Sequence, residues 1–278
     1  MGAVVHRLSA WDGLALAVHE WDAGGARAPL LCLPGLVRTG EDFAEVARML
    51  GAGRRVVAPT YPGRGASGRS QHVARYAPEA CLRDVLDLCA ALHLHRVVAV
   101  GTSFGGLLAM ALGAARPTLL RGVVLNDIGP DVGETGGDFV RRFVADDPAL
   151  PDLAACVAHL RARLPHLSLT TDTAWQRMAE LTYARGADGR YHPTWDTEIA
   201  RLLGGPPPLW KLFGALAHVP LQLVWGEASD ILLPATVAAM RAARPDMAVV
   251  SLPGIGHAPT LIEPKVVDAV RDFLERVG

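Results

Sequence analysis

The chain has 278 residues, half of them hydrophobic and 20% charged, with a formal net charge of −1. That length suits one large α/β domain, or a domain carrying an insertion, with enough material for a sizeable core. Basic and acidic residues are interspersed, which excludes the electrostatic footprint of a nucleic-acid or anionic-membrane binder.

Residues 3–10 and 14–21 alternate apolar and polar around Asp12-Gly13, a two-residue hairpin signal. This stretch lacks the basic-then-apolar layout of a signal segment, and no apolar run in the chain is long enough to span a membrane. A cytoplasmic protein is therefore expected. Pro29 to Leu33 is continuously apolar, as in a strand buried on both faces. Pro34-Gly35-Leu36 ends it, and Glu41 to Leu50 shows helical apolar spacing. Arg55 to Thr60 reads as the next buried strand, and Tyr76 to Leu92 as an amphipathic helix with Cys81, Val85, Leu88, Cys89 and Leu92 on one face.

Val97-Val98-Ala99-Val100 is a mainly β-branched apolar run that leads directly into Gly101-Thr102-Ser103-Phe104-Gly105, and an Ala/Leu-rich helical run follows until Pro117. Strand, sharp turn with serine, then helix is the setting in which Gly-x-Ser-x-Gly has chemical meaning. Small residues at 101 and 105 let strand and helix close around the turn. The turn lifts the Ser103 hydroxyl clear of the sheet beside a helix N-terminus, where developing negative charge is favoured. Ser103 is the expected nucleophile.

Gly122 to Asp127 is a further strand, after which the alternation stops. From about 131 to 216 only helical segments are expected, near 136–146, 151–164, 172–186 and 207–216, broken by prolines that include Pro206-Pro207-Pro208. Val219 to Gly226 restores a strand, Ala235 to Arg244 a helix, Ala248 to Leu252 a last strand and Pro264 to Val277 a closing helix. Strands alternating with helices predict a doubly wound, mostly parallel α/β sheet with an inserted helical cap. The boundaries are 1–130 and 217–278 for the two parts of the core and 131–216 for the cap.

A serine hydroxyl needs a base, and a histidine base needs a carboxylate to orient it. Asp230 follows one late strand in Trp225-Gly226-Glu227-Ala228-Ser229-Asp230, and His257 follows the last in Gly256-His257-Ala258-Pro259. The chain order Ser, Asp, His is that of a known triad arrangement. These three stretches, with Leu261-x-Glu263-Pro264 beyond the histidine, resemble an α/β-hydrolase-fold serine hydrolase over nearly the whole chain, most weakly in 131–216. The resemblance implies Ser103 as nucleophile, Asp230 as acid and His257 as base. Asp127, which ends the strand entering the cap, is the alternative acid, since some members of the fold place theirs there.

The same resemblance implies an oxyanion hole from the backbone N–H groups of Phe104 and Leu36. Here Pro34-Gly35 stands where many relatives have His-Gly, a change that a backbone donor survives. Asp127, Phe139, Phe143, Trp175 and Trp210 are candidate substrate-binding residues, with packing inside the cap as the competing role for the aromatics. Gly63-Arg64-Gly65-Ala66-Ser67-Gly68 fits a dinucleotide-binding pattern but opens no helix, so it reads as a turn. His93-x-His95 lacks a third ligand, and the four cysteines lack paired spacing and read as reduced core residues.

The expectation is a cofactor-free and metal-free carboxylesterase or lactonase acting on a hydrophobic small molecule, as a monomer or homodimer without nucleic-acid or membrane partners. The alternatives are a C–C bond hydrolase or lyase on the same scaffold, disfavoured by Ala258 after the histidine, and a slow-turnover ligand receptor.

Overall fold

The computed structural model describes residues 2–204 and 208–278. Pro206 and Pro207, where the sequence places a helix break and the start of a helix, lie outside the described residues. Ten strands and nine α-helices are assigned among the described residues. The first half of the core comprises β1 (Val4–Ser9), β2 (Ala15–Asp22), β3 (Leu30–Leu33), α1 (Ala44–Leu50), β4 (Arg55–Pro59), α2 (Pro78–Ala91), β5 (Val97–Thr102), α3 (Phe104–Ala115) and β6 (Leu120–Asn126). An inserted segment follows, with α4 (Glu134–Ala145), α5 (Leu153–Arg163), α6 (Asp172–Thr182), β7 (Tyr183–Arg185), β8 (Tyr191–Pro193) and α7 (Trp210–Gly214). The core resumes with β9 (Leu221–Gly226), α8 (Pro234–Ala243), β10 (Ala248–Leu252) and α9 (Pro264–Val277).

Eight strands form one sheet in the order β1-β2-β4-β3-β5-β6-β9-β10. From β4 to β10 neighbours run parallel, while β2 is antiparallel to both β1 and β4. The two-residue period of a strand explains how both faces are filled. Val97 and Ala99 of β5 point into one cluster with Leu88, Leu108 and Met240, whereas Val98 and Val100 point into the other with Val46, Val270 and Phe273. β3 divides likewise, Leu31 and Leu33 against Leu30 and Cys32. Each fully buried Val or Leu contributes about 1.5–3 kcal/mol, so these runs hold the central strands rigidly under the site.

Two local expectations are corrected. The β1–β2 connection is a three-residue loop, Trp11-Asp12-Gly13, closed by Ala10 N–H to Leu14 O at 2.8 Å with Gly13 at φ +84°. A left-handed glycine after a tight turn gives that longer hairpin. The helix expected over 172–186 stops at Thr182, and β7 pairs with β8 in a two-stranded sheet. The Asp188 carboxylate accepts the Arg190 N–H at 3.0 Å and Gly189 sits at φ +82°, so local turn chemistry overrides helical spacing there.

The inserted segment docks on the Gly63–Gly68 turn. Gly65 N–H donates to Thr194 O at 2.7 Å, Asp196 N–H to Gly63 O at 2.7 Å, and Tyr76 O–H to the Asp196 carboxylate at 2.7 Å. The glycine pattern therefore serves chain packing. No helix among the described residues is long and apolar enough to cross a membrane. All four cysteines are free and buried, and burial pushes the thiols of Cys81 and Cys156 up to about 11 and that of Cys89 up to about 12.

Candidate active site

Ser103 sits between β5 and α3 at φ +51°, ψ −117°. A non-glycine residue in that region is strained and is held only when its surroundings determine it. Here the Ser103 N–H donates to Asn126 O at 3.0 Å, and Ser103 O accepts from the Gly106 and Leu107 N–H groups at 2.8 and 3.1 Å. The flanking glycines are required by contact. A Cβ on Gly101 would lie 2.5 Å from Gly105 O, and one on Gly105 would collide with the Leu33 carbonyl.

The loop after β10 brings His257 Nε2 to 2.9 Å from Ser103 Oγ. On the other side of the ring, Nδ1 lies 2.7 Å from Asp127 Oδ2. An ionised carboxylate only accepts, so Nδ1 carries the proton and Nε2 is free to accept from the serine hydroxyl. Asp127 is fully buried, whereas the His257 side chain keeps 21% of its surface exposed. The second Asp127 oxygen, Oδ1, accepts the Gly226 N–H at 3.0 Å, and Asp127 N–H donates to Val224 O at 2.8 Å. The carboxylate is thus fixed from β9 while it faces the histidine.

The acid expected at Asp230 is corrected by this geometry: the structure puts Asp127, not Asp230, on His257. Beyond β9 the chain turns at once, with Ser229 N–H bonded to Gly226 O at 3.0 Å and Ala228 N–H to Ile255 O at 2.9 Å. Ser229 Oγ, buried, accepts the N–H groups of Ile231 and Leu232 at 3.2 Å each. That turn leaves the Asp230 side chain exposed. Its carbonyl instead closes on Gly133 and Gly136 at the start of α4, where a Cβ would collide with it.

Asn126, beside the acid, was not singled out by sequence reasoning. It is fully buried, and its Nδ2 donates to Thr102 Oγ1 at 3.0 Å and to Pro259 O at 2.8 Å. It therefore ties the ends of β5 and β6 to the histidine loop. The only sequence signal was its place at the end of an apolar strand, where a polar residue needs buried partners.

Phe104 begins α3, so its N–H has no intrahelical acceptor. Leu36 lies on the loop after β3, half-buried, beside Val37 and Val140 in one apolar cluster. The aromatics of the inserted segment pack on one another and on their neighbours. Phe139 stacks on Phe143 at 6.0 Å and Phe143 on Trp195 at 5.6 Å, joining α4 to the β8 region. Trp175 is corrected from substrate binding to packing: it is buried with Cys156, Leu160 and Tyr183 among the inserted helices, and its Nε1 donates to Leu169 O at 3.1 Å. Trp210 likewise has its Nε1 on the Asp131 carboxylate at 2.8 Å and its ring against Phe213. Asp127 is spent on His257 and leaves no free oxygen for substrate.

No group of three or more His, Cys, Asp or Glu side chains with metal-binding geometry occurs among the described residues. The arrangement can accept a proton from a serine and return it to a leaving group, and the Phe104 N–H, which lacks an intrahelical acceptor, directly follows the serine. Fold and site together define a hydrolase built on an α/β sheet. A sequence model described as the alpha/beta hydrolase family matches residues 30–270, and the chain belongs to that family.

Among curated relatives, the chain is 30% identical to a 3-hydroxybutyrate-oligomer hydrolase of Cupriavidus necator, over 93% of this chain and 92% of that protein. It is 28% identical to a 2-(acetamidomethylene)succinate hydrolase of Mesorhizobium japonicum, over 69% of each. Among solved structures it is similar to an alpha/beta hydrolase from Novosphingobium aromaticivorans, with a TM-score of 0.93, 37% identity and 99% of both chains covered.

Proposed function

We propose that the protein is a carboxylic-ester hydrolase acting through an acyl-enzyme, with Ser103 as nucleophile, His257 as base and acid, and Asp127 as the orienting carboxylate. The observation that carries this reading is the unbroken chain from Ser103 Oγ through His257 to Asp127, at 2.9 and 2.7 Å, on a strained strand-to-helix turn. His257 takes the hydroxyl proton as Ser103 attacks the carbonyl carbon. The Leu36 and Phe104 N–H groups stabilise the resulting oxyanion. The imidazolium, held in orientation by Asp127, then protonates the leaving alcohol. Water then attacks the acyl carbon as His257 takes its proton, the bond to Ser103 Oγ breaks, and His257 returns the proton to Oγ as the acid leaves.

The similarity to the 3-hydroxybutyrate-oligomer hydrolase supports a substrate with a small acyl portion joined through an ester. The half-buried apolar side chains of Leu36, Val37 and Val140 suit an aliphatic acyl group. Hydrolysis of p-nitrophenyl esters of increasing acyl length, together with linear 3-hydroxybutyrate dimers and trimers, tests the reading against Ser103→Ala. Multiple turnover by the wild type that disappears in Ser103→Ala is expected. No turnover on any ester would favour carbon–carbon cleavage or ligand reception by the same scaffold. Equal activity in the variant would remove Ser103 from the mechanism.

A further inference from the structure

Arg64 touches both residues proposed to supply the oxyanion hole, and it does so as a buried cation. Its side chain is completely shielded, Nη2 has no hydrogen-bond partner among the described residues, and Asp196 is the carboxylate whose charge reaches it, without a direct ion pair. A buried charge is unfavourable by several kcal/mol unless hydrogen bonds and polarisable groups surround it. Burial accordingly holds its pKa below the ordinary arginine range. The compensation comes from the site. Nε donates to the Leu36 carbonyl at 2.7 Å and Nη1 to Pro62 O at 2.6 Å. The guanidinium carbon lies 5.8 Å from the ring centres of Tyr61 and Tyr76 and 6.0 Å from that of Phe104.

The loop Pro34-Gly35-Leu36 has all three of its carbonyls held. Tyr61 O–H donates to Pro34 O at 3.3 Å, Arg38 N–H to Gly35 O at 3.0 Å, and Arg64 Nε–H to Leu36 O at 2.7 Å. The Gly35 carbonyl and the Leu36 N–H belong to one planar peptide, so fixing the carbonyl aims the N–H to the opposite side. Fixing the carbonyls before and after it removes the rotations through which that plane would turn. Tyr61 also packs edge-on against Phe104 at 5.4 Å, so the same pair of side chains braces the second donor residue.

We propose that Arg64 is a positioning residue for the oxyanion hole, with Tyr61 as a second anchor: together they hold Leu36 and Phe104 so that both N–H groups meet the charge developing on the substrate carbonyl. The proposal rests on the ester-hydrolase reading above. Such donors act more strongly on the transition state than on bound substrate, so loosening them lowers kcat and leaves KM nearly unchanged. A residue that served only to hold the fold would lower the melting temperature without that separation.

The test uses Arg64→Gln, Arg64→Lys and Tyr61→Phe in the full chain. kcat and KM are measured on an ester that the wild type hydrolyses, and folding is checked by circular dichroism and melting temperature. Arg64→Gln is expected to lose about 10- to 100-fold in kcat with KM within about threefold, since one misplaced donor weakens oxyanion stabilisation without abolishing it. Arg64→Lys keeps the charge but lacks the fork that spans the Leu36 and Pro62 carbonyls, and recovers part of the loss. Tyr61→Phe keeps the ring and loses a few-fold in kcat. Folded variants whose kcat stays within about twofold of wild type, or whose losses fall in KM alone, would overturn the proposal. If Arg64→Gln does not fold, Tyr61→Phe and Arg64→Lys decide by the same criterion. A wild type inactive on every ester would instead overturn the ester-hydrolase reading beneath it.

Discussion

Asp127 Oδ2 lies 2.7 Å from His257 Nδ1, although Asp127 directly follows the strand adjacent to the one that delivers Ser103. Ser103 follows β5, Asp127 follows β6, Gly226 closes β9 and His257 follows β10. The four ends are successive along the sheet, so the site spans its C-terminal edge in strand order. Asp127 bridges that order: one oxygen faces histidine and the other is held by Gly226 N–H at 3.0 Å. A carboxylate with both oxygens engaged and no exposed surface is held in one orientation, which is what a histidine needs from its partner.

Asn126 is expected to matter for rate as well as stability. Asn126→Ala removes the bonds to Thr102 and Pro259 and frees the histidine loop from the serine strand. Chemical denaturation should show a loss of about 1–3 kcal/mol, the usual cost of stranding buried polar partners. Turnover should fall by about tenfold, because His257 and Ser103 lose a shared anchor. A stability loss with unchanged kcat would restrict Asn126 to folding.

Gly105→Ala tests the strained turn. Its new methyl group would meet the carbonyl of Leu33, the last residue of β3, whose backbone is paired with Gly101 of β5. Destabilisation of more than about 3 kcal/mol is expected, in the range of severe core overpacking. A variant with wild-type melting temperature would show that α3 can slide along β5.

The β7–β8 hairpin carries a pH dependence of its own. His192 Nδ1 lies 2.9 Å from Asp147 and its Nε2 3.1 Å from Asp188, and these hydrogen bonds hold its pKa above the ordinary 6.5. The histidine binds its proton more tightly in the folded hairpin than in the unfolded one. The stabilisation is therefore complete below pH 6.5 and is lost as pH rises through the raised value. Hydrogen exchange at Tyr183–Pro193, corrected for the intrinsic rate, should quicken over that interval in the wild type. It should show no such step in His192→Asn. A step that persists in the variant would assign it to another group.

The sheet, the serine turn and the histidine loop were legible because each is written in adjacent residues. The apolar run 97–100 begins the strand β5, and the small residues at 101 and 105 are dictated by contact with Gly105 and Gly106 and with the end of the neighbouring strand β3. The choice of acid is not local. Asp127 and Asp230 both follow strands and both lie between Ser103 and His257, and the resemblance of the Ser229-Asp230 loop favoured the second. What decides is the Ser229 turn, whose hydroxyl holds two backbone N–H groups and rotates Asp230 outward, while Gly226 N–H captures Asp127. The aromatics of the inserted segment were ambiguous for a related reason. A helical stretch without a sheet beneath it must bury its own rings, and composition does not separate Trp175, which does so, from a residue facing substrate. Arg64 was hidden inside a glycine pattern whose apparent meaning was phosphate binding.

The most direct measurement of the central claim is kcat for Asp127→Asn and Asp230→Asn on one ester, with folding confirmed for both. Asp127→Asn is expected to fall by about 10³- to 10⁴-fold, since an amide no longer orients the neutral imidazole or steadies its charged form. Asp230→Asn should stay within about twofold of wild type, as expected of an exposed side chain while both His257 ring nitrogens are engaged by Asp127 and Ser103. The reverse pattern, activity lost in Asp230→Asn and kept in Asp127→Asn, would contradict the assignment of the acid.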